Sequence, residues 1–241
     1  MKSFIKKAVT LAALASLCVF AAGCGSSDNN SKSASSDKKE VTVGVTPGIH
    51  AEIMEQVKKE AAKQGITIKI MEFSDYVTPD VALSNKEIDM NSYQHKPYMD
   101  NLVKDKGLKI VSIGQTVVAP IGLYSHKIKS LDEVKDGMTV AVPNDPTNGA
   151  RGLLLLQKAG FIKIKDGVKY PTPQDITDNP KHLQIKELEA AQIPRSLDDV
   201  DFAAINTNYA MDAGLNPVSD ALLREDKDSP YANILAVHED D

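Results

Sequence analysis

Between Val41 and Phe73 the sequence runs through a β-branched segment (VTVGV), a Pro47-Gly48 turn, an amphipathic stretch, a glycine stop and an alternating segment (ITIKIMEF). Within Ile49–Lys63, Ile49, Ile53, Met54, Val57 and Ala61 recur at helical spacing, and Gly65 supplies a left-handed stop. A strand, a helix and a strand completed in about 35 residues join two parallel strands through a right-handed crossover. This unit commits the chain to an α/β architecture and excludes a helix bundle or an all-antiparallel sandwich.

The remaining pattern is consistent with that commitment. Val77–Asn85 and Pro97–Lys106 read as helices, and Ile88–Asn91 as a short buried strand. Leu108–Ser125 is extended, apolar and too long for one ordinary strand, so it reads as a crossing between two lobes. Then the alternation restarts. Ser130-Leu-Asp-Glu133 reads as a capping box, Met138–Val142 as a strand, Asn144–Gly149 as a polar loop and Ala150–Ala159 as a helix. Leu183–Leu188, Phe202–Ile205 and Tyr231–Val237 read as strands, and Arg195–Val200 and Asn208–Ala213 as short helices. Each lobe is expected to hold a mixed, mostly parallel sheet flanked by helices, with 40–118 and 208–241 in lobe 1 and 119–207 in lobe 2.

The first 39 residues carry an address. Lys2, Lys6 and Lys7 precede an apolar run, Ala8–Ala22, shorter than the roughly 20 residues that a bilayer core requires. It ends in Ala21-Ala22-Gly23-Cys24, which looks like a bacterial lipobox, so residues 1–23 are expected to be a signal peptide and Cys24 the lipidated N-terminus. The alternative is an ordinary cleavable signal with an incidental cysteine. Cleavage before Cys24 removes Cys18, three lysines and no acid, taking the net charge from −5 to −8. The Ser/Asn/Asp/Lys-rich segment to Lys39 has no large apolar residue and reads as a tether. A diacylated cysteine anchors stably, so the expected location is the extracytoplasmic face of the cell membrane.

Several chemistries are missing. An acidic balance of 28 Lys+Arg to 33 Asp+Glu, with no basic cluster, argues against nucleic acid. No nucleotide loop, no His or Cys pair at metal-ligand spacing and no nucleophile elbow occurs. The five histidines are scattered singly, and Asp75, Asp89 and Asp100 sit where strand ends and helix caps use aspartate. No catalytic machinery, metal or cofactor is expected.

What the sequence does offer is a set of polar and aromatic segments at strand ends, where open α/β sheets bind ligands. Phe73-Ser-Asp-Tyr76 is one. Asn91-Ser-Tyr-Gln-His-Lys-Pro-Tyr98 concentrates Tyr93, His95 and Tyr98 in a chain with only 5% aromatics, which suits an amphipathic small ligand. Covering a helix start is the plainer role for those tyrosines. In Pro143–Arg151, a helix N-terminus offers free N–H groups to an anion. Arg151 in its first turn would sit badly unless it faced a carboxylate, from a ligand or from a neighbouring acid. Asn206-Thr-Asn208 is either part of the cleft or a helix cap.

Three stretches, FSDYVTPDVALSNKEIDMNSYQHKPYMD, PNDPTNGARGLLLLQKAG and INTNYAMDAGL, closely resemble the methionine-binding lipoproteins of ABC importers. The resemblance runs from Val41 to the last residue and includes the lipobox. It implies a two-lobed periplasmic-binding-protein fold of the second class, methionine (L, D or both) held in the cleft, and a permease and ATPase that receive it. It implies that Arg151 binds the ligand carboxylate with Asn148 nearby, and that Asn206, with Asn208 beside it, meets the head group. Tyr76, Tyr93, His95 and Tyr98 would line the side-chain pocket. Family members continue into a C-terminal helix, whereas this sequence stops at Asp241. Rival expectations are a receptor for a methionine-containing dipeptide or another small apolar amino acid, and a structural or adhesive surface lipoprotein.

Overall fold

The computed structural model describes residues 40–226 and 228–241; the expected signal peptide, lipidated Cys24 and tether lie outside the described residues. Strand β1 (Glu40–Val45), helix α1 (Ile49–Lys63) and strand β2 (Thr67–Glu72) form the expected unit, with β1 and β2 parallel from Glu40↔Thr67 to Val45↔Glu72. Helix α2 (Thr78–Ser84), strand β3 (Met90–His95), helix α3 (Lys96–Lys106) and strand β4 (Ile110–Val118) follow. The chain then crosses at 119–121 into β5 (Gly122–Tyr124), β6 (Thr139–Pro143) and helix α4 (Pro146–Lys158). After the small ribbon of β7 (Lys163–Ile164) and β8 (Ile176–Asp178) come β9 (Gln184–Leu188) and β10 (Phe202–Ile205). Helix α5 (Thr207–Asp212) and β11 (Leu223–Arg224) precede a return through 225–231 to β12 (Ala232–His238).

Two five-stranded sheets result, ordered β2-β1-β3-β12-β4 and β11-β5-β10-β6-β9. Both are mixed. The parallel pairs are β1 with β2 and β3, and β6 with β9 and β10, while β12, β5 and their partners run antiparallel. In the second sheet, alternation sends Val140, Val142, Phe202 and Ala204 to one face with Leu153 and Leu156 of α4. Ala141, Ala203 and Ile205 face the other way, toward Leu197 and Tyr209. The first sheet likewise packs Val43, Val45 and Ile68 on Met54 of α1, and Ile110, Ile234 and Ala236 on Leu83 and Met99.

Four local expectations are corrected. The strand expected at Ile88–Asn91 is Met90–His95, so Asn91–His95 lie inside a sheet rather than after one; pairing with β12 on one side overrides their low apolar content. Helix α4 starts at Pro146, not Ala150, because Asp145 caps it and proline at N1 loses no helical hydrogen bond. The Ser130 and Arg195 segments form single 3-10 turns, Leu131–Glu133 and Pro194–Ser196; Glu133 accepts from the Lys129 N–H rather than closing a box with Ser130. Finally, β11 pairs with β5, and Tyr209 and Ala210 pack in the second sheet's core. The second crossing therefore falls at 225–231 and not at 208.

Candidate functional site

All eight expected ligand-contact residues line one cavity. β3 delivers Tyr93 and His95 from its end, the first turn of α3 delivers Tyr98, and the segment before α2 delivers Tyr76. From the second sheet come Asn148 and Arg151 on α4 and Asn206 and Asn208 at the β10–α5 junction. The two sides meet closely: Gly48, at φ 75°, precedes α1 where any Cβ would run into the Asn208 carbonyl. Only glycine tolerates both conditions.

Asn148 is the hub of the cavity wall. Its Oδ1 accepts from His95 Nε2 (3.1 Å), Arg151 Nη1 (3.1 Å) and Asn206 Nδ2 (3.0 Å), while its Nδ2 donates to Asp145 Oδ2 (2.9 Å). His95 Nδ1 accepts the Tyr98 N–H at 3.1 Å, so the ring proton sits on Nε2, facing Asn148. Burial, reinforced by the Arg151 charge, pushes the His95 pKa down to about 3, which keeps it neutral. His50 is held neutral in the same way: burial lowers it to about 4, and Asn233 approaches its ring without closing a hydrogen bond.

Arg151 differs from expectation. It lies in the second turn of α4 and is 2% exposed, and Asp145 already occupies the Thr147 and Asn148 N–H groups at the helix start. The free helix end expected for an anion is thus capped by a carboxylate. Arg151 Nε donates to Glu225 Oε1 (2.9 Å) and Nη2 to Glu225 Oε2 (2.5 Å) and to the Ala119 carbonyl (3.0 Å). With Nη1 also on Asn148, four of the five guanidinium N–H groups are engaged, and one on Nη1 remains. The Tyr231 ring covers the cation at 4.6 Å. Glu225 Oε2 also accepts the Ile121 N–H at 3.0 Å, so this ion pair ties α4 to both crossing segments.

The aromatic wall is largely apolar in effect. Tyr76 stacks on Tyr93 at 5.8 Å and meets Tyr98 edge-on at 5.8 Å. Tyr76 Oη donates to Asn208 Oδ1 and Tyr93 Oη to the Tyr76 carbonyl, both at 2.5 Å, so these hydroxyls are occupied by protein acceptors and the rings are left to the cavity.

The unoccupied polar atoms are the most telling. Gln94 Oε1, Asn206 Oδ1, Asn233 Oδ1 and His50 Nε2 are buried, line the cavity and have no hydrogen-bond partner among the described residues. Thr46 Oγ1 accepts from Asn208 Nδ2 (3.3 Å) and shares a hydrogen bond with His50 Nδ1 (2.8 Å). Three amide oxygens without donors fit a group carrying several N–H bonds, and an ammonium carries three. Asn206 stands at the N-cap position of α5 but makes no side-chain cap bond, which leaves its oxygen to the cavity. Sequence reading missed His50, Ala119 and Asn233 as lining residues, and it placed Gln94 and Thr207 in candidate segments without giving them a role. Asn233 had a usable signal: it is the single polar residue in the apolar run YANILAV.

Known proteins carry the same arrangement of sequence and fold. The D-methionine-binding lipoprotein MetQ of Salmonella typhi is 52% identical over 223 residues, covering 91% of this chain and 80% of that protein. A periplasmic substrate-binding protein of an ABC transporter from Coxiella burnetii superposes with a TM-score of 0.81 at 52% identity, over 83% of this chain and 86% of that one. A nutrient binding protein from Burkholderia cenocepacia, solved bound to methionine, gives 0.81 at 50% identity over the same shares. The fold is therefore the two-lobed periplasmic-binding-protein type. Residues 41–241 match the family described as NlpA lipoprotein, and the chain belongs to that family.

Proposed function

We propose that this protein is a lipid-anchored receptor that captures methionine outside the cytoplasm and hands it to the permease and ATPase of an ABC importer. The observation that carries this reading is the lining of the cavity: three unpartnered amide oxygens, a remaining Arg151 Nη1 N–H and a group of tyrosine rings. An α-amino acid offers that pattern in reverse, with an ammonium, a carboxylate and an apolar side chain. In this reading the ammonium goes to Gln94, Asn206 and Asn233, and the carboxylate to the Nη1 edge of Arg151. Glu225 balances the Arg151 charge, so a net-neutral zwitterion suits the site better than an anion. Sulfur–aromatic contacts with Tyr76, Tyr93 and Tyr98 favour a thioether.

The two sheets then act as lobes, 40–118 with 232–241 against 122–224, hinged at 119–121 and 225–231. Ligand touching both stabilises the closed form. Cys24 carries the lipid, and the receptor binds without converting its ligand. Relatives' names support this reading: MetQ of Salmonella typhi is a D-methionine-binding lipoprotein and the Burkholderia protein was solved with methionine. Calorimetry of the purified chain against L- and D-methionine, methionyl dipeptides, alanine and leucine tests it, with mass spectrometry of whatever co-purifies. Binding of either methionine enantiomer ahead of the rest is expected; absence of binding by any methionine species would refute it.

A further inference from the structure

Beneath the cavity, Asp80 of α2 is completely buried. Its Oδ1 accepts from Asn91 Nδ2 at 2.7 Å and Gln94 Nε2 at 2.5 Å, and its Oδ2 has no hydrogen-bond partner among the described residues. No cation pairs with it there either, an unusual state for a carboxylate out of water. Gln94 both hydrogen-bonds Asp80 and lines the cavity. An ionised carboxylate only accepts hydrogen bonds, so it turns the NH2 of Gln94 toward itself and the oxygen of Gln94 toward the cavity. That oxygen is one of the three unpartnered acceptors.

We propose that Asp80 is a positioning residue and buried counter-charge for the cationic end of the ligand: it fixes the Gln94 amide and favours an ammonium bound beyond it. The proposal rests on the amino-acid reading above only in requiring a ligand with a cationic group. Burial raises the Asp80 pKa to about 7, against the opposing hydrogen bonds of Asn91 and Gln94. An arriving ammonium favours the ionised carboxylate and lowers that value. The ligand-free protein then holds more protons near neutrality than the complex, so binding releases a proton and affinity falls as pH drops through 7.

Tyr93, Tyr98 and His95, which face Asp80, do not titrate in the same window. From β3 and α3, burial raises Tyr93 and Tyr98 far above neutrality, and His95 stays neutral to about pH 3. β1 brings Glu40, paired with Lys69; β12 brings His238, paired with Asp240; and β4 has no titratable side chain.

The test is calorimetry on the full chain from pH 5.5 to 8.5 with methionine and its desamino analogue, for wild type and Asp80→Asn, in two buffers of different ionisation heat. Wild-type affinity for methionine should fall at least about threefold from pH 8 to pH 6, with proton release near pH 7, while any binding of the analogue stays flat. Asp80→Asn should bind methionine more weakly at pH 8, with no pH slope and no proton release. Methionine binding that is flat with pH in wild type, or an unchanged slope in Asp80→Asn, overturns the proposal while sparing the methionine reading. If folded wild type binds no methionine at any pH, the methionine reading falls and this proposal with it. The wild-type comparison of methionine with its analogue decides the matter even if Asp80→Asn does not fold.

Discussion

Removing either member of the Arg151–Glu225 pair should destabilise the fold far more than loss of a surface ion pair. Arg151 and Glu225 side chains are 3% and 14% exposed, and the pair closes two parallel contacts while reaching both crossing segments. Breaking a buried pair from one side typically costs about 3–5 kcal/mol, because the remaining charge is stranded. Glu225 keeps the Ile121 N–H and some solvent, so Arg151→Ala belongs at the low end, about 3 kcal/mol. In a chain of this size that is roughly a 6–12 °C fall in Tm. Glu225→Ala strands the guanidinium, which retains Asn148 and Ala119, and should cost a similar amount. The double variant leaves no buried charge behind, so urea unfolding followed by circular dichroism should give a coupling energy of about 2 kcal/mol. Arg151→Lys cannot serve Glu225, Asn148 and Ala119 together and should recover only part of the loss. If the single variants are additive within about 0.5 kcal/mol, the pair behaves as exposed pairs do and the staple at the crossings is wrong.

Other consequences follow from the same structure. Cys24→Ala should bind methionine as the wild type does yet move from the membrane pellet to the soluble fraction; a firmly pelleted variant would point to an uncleaved anchor. Tyr93→Ala or Tyr98→Ala should weaken methionine more than alanine, by about 0.3–1.5 kcal/mol per lost sulfur–aromatic contact, read from paired titrations. Gly48→Ala combines a left-handed φ with a clash on the Asn208 carbonyl, so melts should show a loss of roughly 1–3 kcal/mol. Asp80 has a folded pKa near 7 against about 3.9 unfolded, so the folded state binds the extra proton, and its stabilising effect is complete below pH 4 and lost as pH rises through 7. Ligand-free Asp80→Asn should therefore gain on wild type, by an order of 2–4 kcal/mol, in melts taken from pH 4 to pH 8.

The fold was legible where period and punctuation agreed. β1, α1, β2 and α3 with its Gly107 stop lie within a residue or two of their expected bounds, because side-chain spacing alone separates them. β11 was invisible, since two residues carry no period and only the partner strand β5 makes them a strand. Asn91–His95 misled for the opposite reason: a polar, aromatic composition reads as a loop, but Asn91, His95 and Tyr93 find partners in Asp80, Asn148 and the Tyr76 carbonyl, contacts distant in sequence. The eight residues line one cavity; all of them lie in the segments singled out at strand ends, and the family resemblance named each one. What sequence could not give was the state of Arg151. Its partner stands 74 positions away in a segment without pattern, so nothing local distinguishes a guanidinium awaiting a ligand from one already held.

That held guanidinium and the unsatisfied amides divide the cleft into two kinds of polar group. Arg151, Asn148, His95 and Asp145 satisfy one another, so this wall keeps its geometry without a ligand and costs little to maintain. Gln94, Asn206, Asn233 and His50 each bury an unpartnered atom, and such atoms are typically unfavourable by about 1–3 kcal/mol apiece. The closed empty cleft therefore sits above the state in which water reaches those atoms, and a ligand that supplies donors to the oxygens removes the penalty only when the lobes shut around it. Capture is thus coupled to closure by the groups left unpaired, while the paired wall and the Glu225 staple keep the crossings in register. A cleft with every amide satisfied internally would lack this penalty on closing empty, and its ligand would shift the equilibrium by its own contacts alone.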